Sequence, residues 1–135
     1  MRTDGIVPKD ISFLILEDTV LFQRKILVEL KKMGFSGHTI VTPSVKEAIS
    51  LAINEEIDFI VVDYYLPDGT GVEFIEAVRG MDGHKKTPIL MVTTADGVSN
   101  MIDAINSGAS NYMVKPWEPA EFPEKIHYCW KKSKE

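Results

Sequence analysis

The sequence predicts an α/β domain in which five strand–helix units alternate and helices cover both faces of a parallel sheet. Three observations carry that expectation. Phe13-Leu-Ile-Leu16, Phe59-Ile-Val-Val62 and Ile89-Leu-Met-Val92 are short continuous apolar runs, which read as strands buried on both faces. The segments between them space apolar residues as a helix does. Glycines stand where those helical segments should stop.

Taken in order, Phe13 to Leu16 is the first strand. Val20, Ile26, Leu27, Leu30 and Met33 follow as the stripe of a first helix, expected to be buried and ended at Gly34. His38 to Val41 is a weaker strand. Ser44 followed by Glu47 is a capping-box signature that starts a second helix, with Val45, Ala48, Ile49 and Ala52 as its stripe. After the strand Phe59–Val62, Pro67 and Gly69 to Gly71 read as a turn, and Val72, Ile75 and Val78 as a third helix. Met81 to Thr87 is a polar connection in which His84 is an isolated loop histidine without metal partners; His38 and His127 belong to strand and helix surfaces. The strand Ile89–Val92 leads to a fourth helix marked by Val98, Met101, Ile102 and Ile105 and stopped by Gly108. Asn111 to Val114 is the last strand, and Phe122, Ile126 and Cys129 mark the last helix. Pro119 suits the start of that helix, and Pro123 is tolerable only within its first turn. Cys129 and Trp130 read as packing residues, Trp130 as a partner contact if exposed.

Composition narrows the class. With 135 residues, 44% of them hydrophobic, the chain fills one domain with a substantial core. The single cysteine rules out an internal disulfide framework and a multi-cysteine zinc site. Met1 to Asp10 contains no apolar core of a signal peptide, and no apolar run reaches the roughly 20 residues that span a bilayer. A cytoplasmic protein without membrane insertion is expected. A net charge of -5 argues against direct nucleic-acid binding, which needs concentrated Lys and Arg. Lys131, Lys132 and Lys134 read as the favourable cationic end of a helix.

In doubly wound sheets, active groups gather at the carboxyl ends of the strands, near a switch in strand order. The residues there are Glu17 and Asp18 after the first strand, Asp63 after the third, Thr93 and Thr94 after the fourth, and Lys115 after the fifth. Three carboxylates, two hydroxyls and an ammonium thus converge on one rim.

This pattern resembles the receiver domain of response regulators in two-component signalling, and in particular the single-domain chemotaxis type. The resemblance runs from Phe13 to about Trp130. It rests on Glu17-Asp18, Asp63-Tyr-Tyr-Leu-Pro-Asp-Gly-Thr-Gly71, Met91-Val-Thr-Thr94, Gly108-Ala-Ser-Asn-Tyr112 and Lys115-Pro116 in their order and spacing. It implies a flavodoxin-like sheet of order 2-1-3-4-5, a domain over residues 11–132, and tails at 1–10 and 133–135.

It further implies that Asp63 accepts a phosphoryl group and that Glu17, Asp18, Asp63 and the backbone carbonyl of Tyr65 hold Mg²⁺, for which Mn²⁺ can substitute. Lys115 would pair with the phosphoryl group, aimed by a cis bond before Pro116. Thr93 would be the switch hydroxyl and Tyr112 the aromatic switch, acting on the surface of the fourth helix, fifth strand and fifth helix. The partners implied are a histidine kinase or phosphotransfer protein upstream and a protein target downstream, with a monomer or a phosphorylation-dependent dimer. Such a domain catalyses its own phosphorylation, also from small phosphodonors, and its slow self-dephosphorylation.

The family has Glu or Asp where Glu17 stands. Thr94 departs from the small residue common at its position, and Tyr65 and Ala95 occupy positions that influence dephosphorylation; a bulky Tyr65 is expected to shield the acyl phosphate. Two other readings fit parts of the sequence. A haloacid-dehalogenase-like phosphatase would need an acid two residues after its nucleophile, where Tyr65 stands. A pseudo-receiver that binds partners without phosphorylation sits poorly with the complete Asp63, Thr93 and Lys115 set.

Overall fold

The computed structural model describes residues 6–94 and 97–135. Its main strands are β1 (Phe13–Leu16), β2 (Thr39–Thr42), β3 (Phe59–Val62), β4 (Ile89–Thr93) and β5 (Asn111–Val114). Its helices are α1 (Val20–Lys32), α2 (Val45–Asn54), α3 (Gly71–Arg79), α4 (Val98–Ser107) and α5 (Glu121–Ser133). The strands form one parallel sheet in the order β2-β1-β3-β4-β5. This is the flavodoxin-like arrangement expected from the sequence, and strand order reverses between β1 and β3.

The apolar runs are buried on both faces because successive side chains point opposite ways. Leu14, Leu16, Ile60, Val62, Ile89 and Met91 pack with α2, α3 and Ala104 of α4. Phe13, Ile15, Phe59, Val61, Leu90 and Val92 pack on the other side with Ile26 and Leu30 of α1 and with Phe122, Ile126 and Cys129 of α5. Each such side chain contributes about 1.5–3 kcal/mol of transfer free energy.

Gly34 and Gly108 end α1 and α4 with φ of 90° and 118°, as the sequence anticipates. Pro123 lies in the first turn of α5, where a missing N–H costs no helical bond. Ser44 Oγ accepts from Glu47 N, but Ser44 N donates to Thr42 Oγ1, so a different residue takes the reciprocal place of the box. A complete capping box joins Thr70 and Glu73 at the start of α3.

Several expectations need correction. Val20 and Leu27 are exposed, and α1 buries only Ile26 and Leu30. The whole apolar stripe of α4 is exposed: Val98 at 72%, Met101 at 41%, Ile102 at 52% and Ile105 at 45%, with Ala104 the residue that faces the sheet. His38 precedes β2, which extends to Thr42. Cys129 and Trp130 are both buried, in keeping with the packing role expected of them.

His84 is also buried. Its Nε2 lies 2.9 Å from the carbonyl of Ala52 and its Nδ1 2.8 Å from Thr87 Oγ1. A carbonyl only accepts, so Nε2 carries the proton, and the ring pins the end of α2 to the loop before β4.

Candidate functional site

Three residues of the carboxyl rim are fixed by the sheet itself. Each lies one position beyond a strand, and its N–H still bonds to the neighbouring strand: Glu17 N to Thr42 O at 3.0 Å, Asp63 N to Leu16 O at 2.9 Å, and Lys115 N to Thr93 O at 2.9 Å. Leu16 pairs with Val62 across β1 and β3, and Thr93 with Val114 across β4 and β5. Register therefore sets Glu17 beside Asp63 and Lys115 beside the end of β4.

The side chains meet accordingly. Lys115 Nζ lies 2.8 Å from Asp63 Oδ2 and 2.5 Å from Glu17 Oε1. Glu17 Oε1 is buried, and the Lys115 ammonium is the group that meets it. Glu17 Oε2 accepts from Thr19 N at 2.9 Å, and Asp63 Oδ1 from Tyr64 N at 2.6 Å. The peptide bond before Pro116 is cis.

Burial raises the Glu17 carboxyl above its ordinary range, against the lowering pull of Lys115 and of the Thr19 N–H. Carboxylate oxygens of Glu17, Asp18 and Asp63 all lie within 4.8 Å of one another, with Asp18 exposed and the other two buried. These residues fit a divalent cation on two grounds. One ammonium leaves three clustered carboxylates undercompensated, and hard carboxylate oxygens so grouped are what such a cation takes.

Thr93 is fully buried at the end of β4, and Tyr112, paired with Met91 across β4 and β5, is buried in the core cluster that also holds Ala104 of α4. Thr94 is exposed, and Ala95 lies outside the described residues. Tyr65 is 56% exposed and packs edge-on against Tyr64 at 4.8 Å, so the side chain expected to shield Asp63 stands largely in solvent.

Sequence reasoning missed three contributors. The Phe22 ring lies 4.3 Å from Lys115 Nζ, a cation–π contact that shields the ammonium from water. Gly71 lets the chain fold back against the acceptor: a Cβ there would stand 2.2 Å from Asp63 O, and Gly71 N donates to Tyr64 O at 2.7 Å. Asp68, at the turn of a short hairpin (Tyr65–Leu66 with Gly69–Thr70), reaches α2. The glycine had a turn signal, whereas Phe22 and Asp68 act on partners far away in sequence.

A carboxylate at the switch point of a doubly wound sheet, held by a buried lysine and flanked by further acids, defines the class of phosphorylatable signalling domains. Residues 13–127 match the response regulator receiver domain family, and the chain belongs to it. It is 30% identical over 115 residues to a chemotaxis protein CheY homolog of Campylobacter jejuni, covering 85% of this chain and 88% of that protein. It is 28% identical to the chemotaxis protein CheY1 of Helicobacter pylori, covering 85% and 93%. The structure of the chemotaxis response regulator CheY4 of Vibrio cholerae superposes with a TM-score of 0.80 at 27% identity, covering 89% of this chain and 98% of that one.

Proposed function

We propose that the chain is a magnesium-dependent switch phosphorylated on Asp63 by a histidine kinase, a phosphotransfer protein or a small phosphodonor. The observation that carries this reading is the convergence of Lys115 Nζ on Asp63 Oδ2 and Glu17 Oε1. It brings an ammonium to the carboxylate that must act as nucleophile.

An oxygen of Asp63 forms a bond to phosphorus as the donor's P–N bond breaks. The electron pair leaves with the nitrogen, which takes up a proton. Glu17, Asp18, Asp63 and the Tyr65 carbonyl would hold Mg²⁺, which when bound offsets repulsion between the carboxylate and the anionic donor and polarises the phosphoryl oxygens. Lys115 pairs with a phosphoryl oxygen as a point charge. Thr93 supplies a hydroxyl to another, and Tyr112 couples that movement to the face made by α4, β5 and α5. The exposed Val98, Met101, Ile102 and Ile105 give this face an apolar stripe suited to a protein target.

The test is intact-protein mass after incubation with phosphoramidate, with and without Mg²⁺, for the wild type and Asp63→Asn. One metal-dependent phosphoryl addition, absent from the variant and lost slowly on removing the donor, is expected. Folded, metal-supplied wild type that stays unmodified overturns the reading in favour of a non-phosphorylated interaction module.

A further inference from the structure

The four N–H groups that open α2 are all satisfied, and half of them by one residue from outside the helix. Ser44 N donates to Thr42 Oγ1 and Glu47 N to Ser44 Oγ. Val45 N donates to Asp68 Oδ1 at 2.8 Å, Lys46 N to Asp68 Oδ2 at 3.1 Å, and the Ser44 hydroxyl to Asp68 Oδ2 at 2.9 Å. A carboxylate at this pole also meets the positive end of the helix dipole. These contacts hold the Asp68 carboxyl below its ordinary range, the Val45 and Lys46 N–H groups leading.

Asp68 belongs to the turn of the Tyr65–Thr70 hairpin, which follows Asp63 directly. The hairpin's backbone runs close to the same helix end: a Cβ added at Gly69 would stand 3.5 Å from Val45 Cγ2. Its base is tied by the Gly71 N to Tyr64 O bond and by the Thr70–Glu73 capping box. At its tip, the Asp68 carboxylate joins it to α2.

We propose that Asp68 is a positioning residue for the phosphoryl-transfer site, clamping the hairpin to the first turn of α2 so that the Tyr65 backbone is held where the cation needs it. This rests on the function proposed above, which gives the Tyr65 carbonyl to the metal. Asp68 touches neither metal nor phosphoryl group. It acts through the hairpin, and its loss costs metal affinity more than a stability change alone explains.

The test is calorimetric titration of Mg²⁺ into wild type, Asp68→Asn, Asp68→Ala and His84→Ala, with thermal unfolding of each metal-free protein alongside. His84→Ala loosens the opposite end of α2 and serves as a control for stability without contact to the hairpin. Losing an outer-shell support lowers metal affinity by 10–100-fold, so Asp68→Ala is expected to raise the Mg²⁺ Kd by about 10-fold. Asp68→Asn, which keeps one acceptor oxygen, should fall between and remains informative if the alanine variant does not fold. His84→Ala should lower the unfolding temperature and leave Kd unchanged. An Asp68 variant that binds Mg²⁺ as wild type does, or a Kd shift equally large in His84→Ala, overturns the inference. Failure of the folded wild type itself to bind Mg²⁺ overturns the proposed function, and the inference with it.

Discussion

Lys115 carries three relationships at once: ion pairs to Asp63 and Glu17 and a cation–π contact with Phe22. Replacing it with methionine keeps the packing stem but removes the ammonium. Loss of one charge-stabilising donor in a buried site costs about 10²–10³ in rate, so Lys115→Met should slow phosphoryl acceptance by roughly 100-fold or more. Mg²⁺ binding should persist or tighten, because the competing cation is gone. Rates of mass gain with phosphoramidate, beside a Mg²⁺ titration, check both halves. Glu17, Asp18, Asp63, Thr93 and Lys115 were legible because each follows a strand that the apolar pattern reveals. Phe22 and Asp68 were not, since a side chain's reach to a partner many positions away depends on register and helix rotation, which no local spacing encodes.

At the scale of elements, the sequence located all five helices but assigned α1 a wider buried stripe than it has and left the facing of α4 open. Spacing of apolar residues at three and four positions shows that a helix has an apolar side, without saying whether the protein's own sheet or another surface covers it. In α4 the small Ala104 meets the sheet and the larger stripe points outward. Ile102→Lys should therefore change stability by less than about 0.5 kcal/mol, whereas Ile75→Ala, at a fully buried position of α3, should cost about 2–5 kcal/mol. Urea unfolding of both variants measures the contrast. The α2 cap adds a pH dependence of known sign. Its contacts hold the folded Asp68 carboxyl below the ordinary 3.8. The unfolded chain thus binds a proton first, and the cap's stabilisation is present above that value and lost as pH falls through the folded one. The stability gap between wild type and Asp68→Asn should close in that acid range, as read from thermal unfolding at stepped pH.

For the molecule as a whole, the layers were the most legible feature, because buried strand runs and intervening helices leave few ways to cover both faces, whereas the strand order was implied by the family resemblance. The hairpin after Asp63 was least legible, as its paired strands are each two residues long and read as a turn. The parallel sheet itself has a consequence for how the protein behaves when newly made or damaged. Every neighbouring pair of strands is separated in sequence by at least one helix, and contacts so distant in sequence form slowly. Glu17, Asp63 and Lys115 come from β1, β3 and β5, so the acidic rim exists only after the central strands and the β5 edge have docked. A partly folded chain therefore lacks the assembled meeting of Glu17, Asp63 and Lys115, which no single strand–helix unit can form alone.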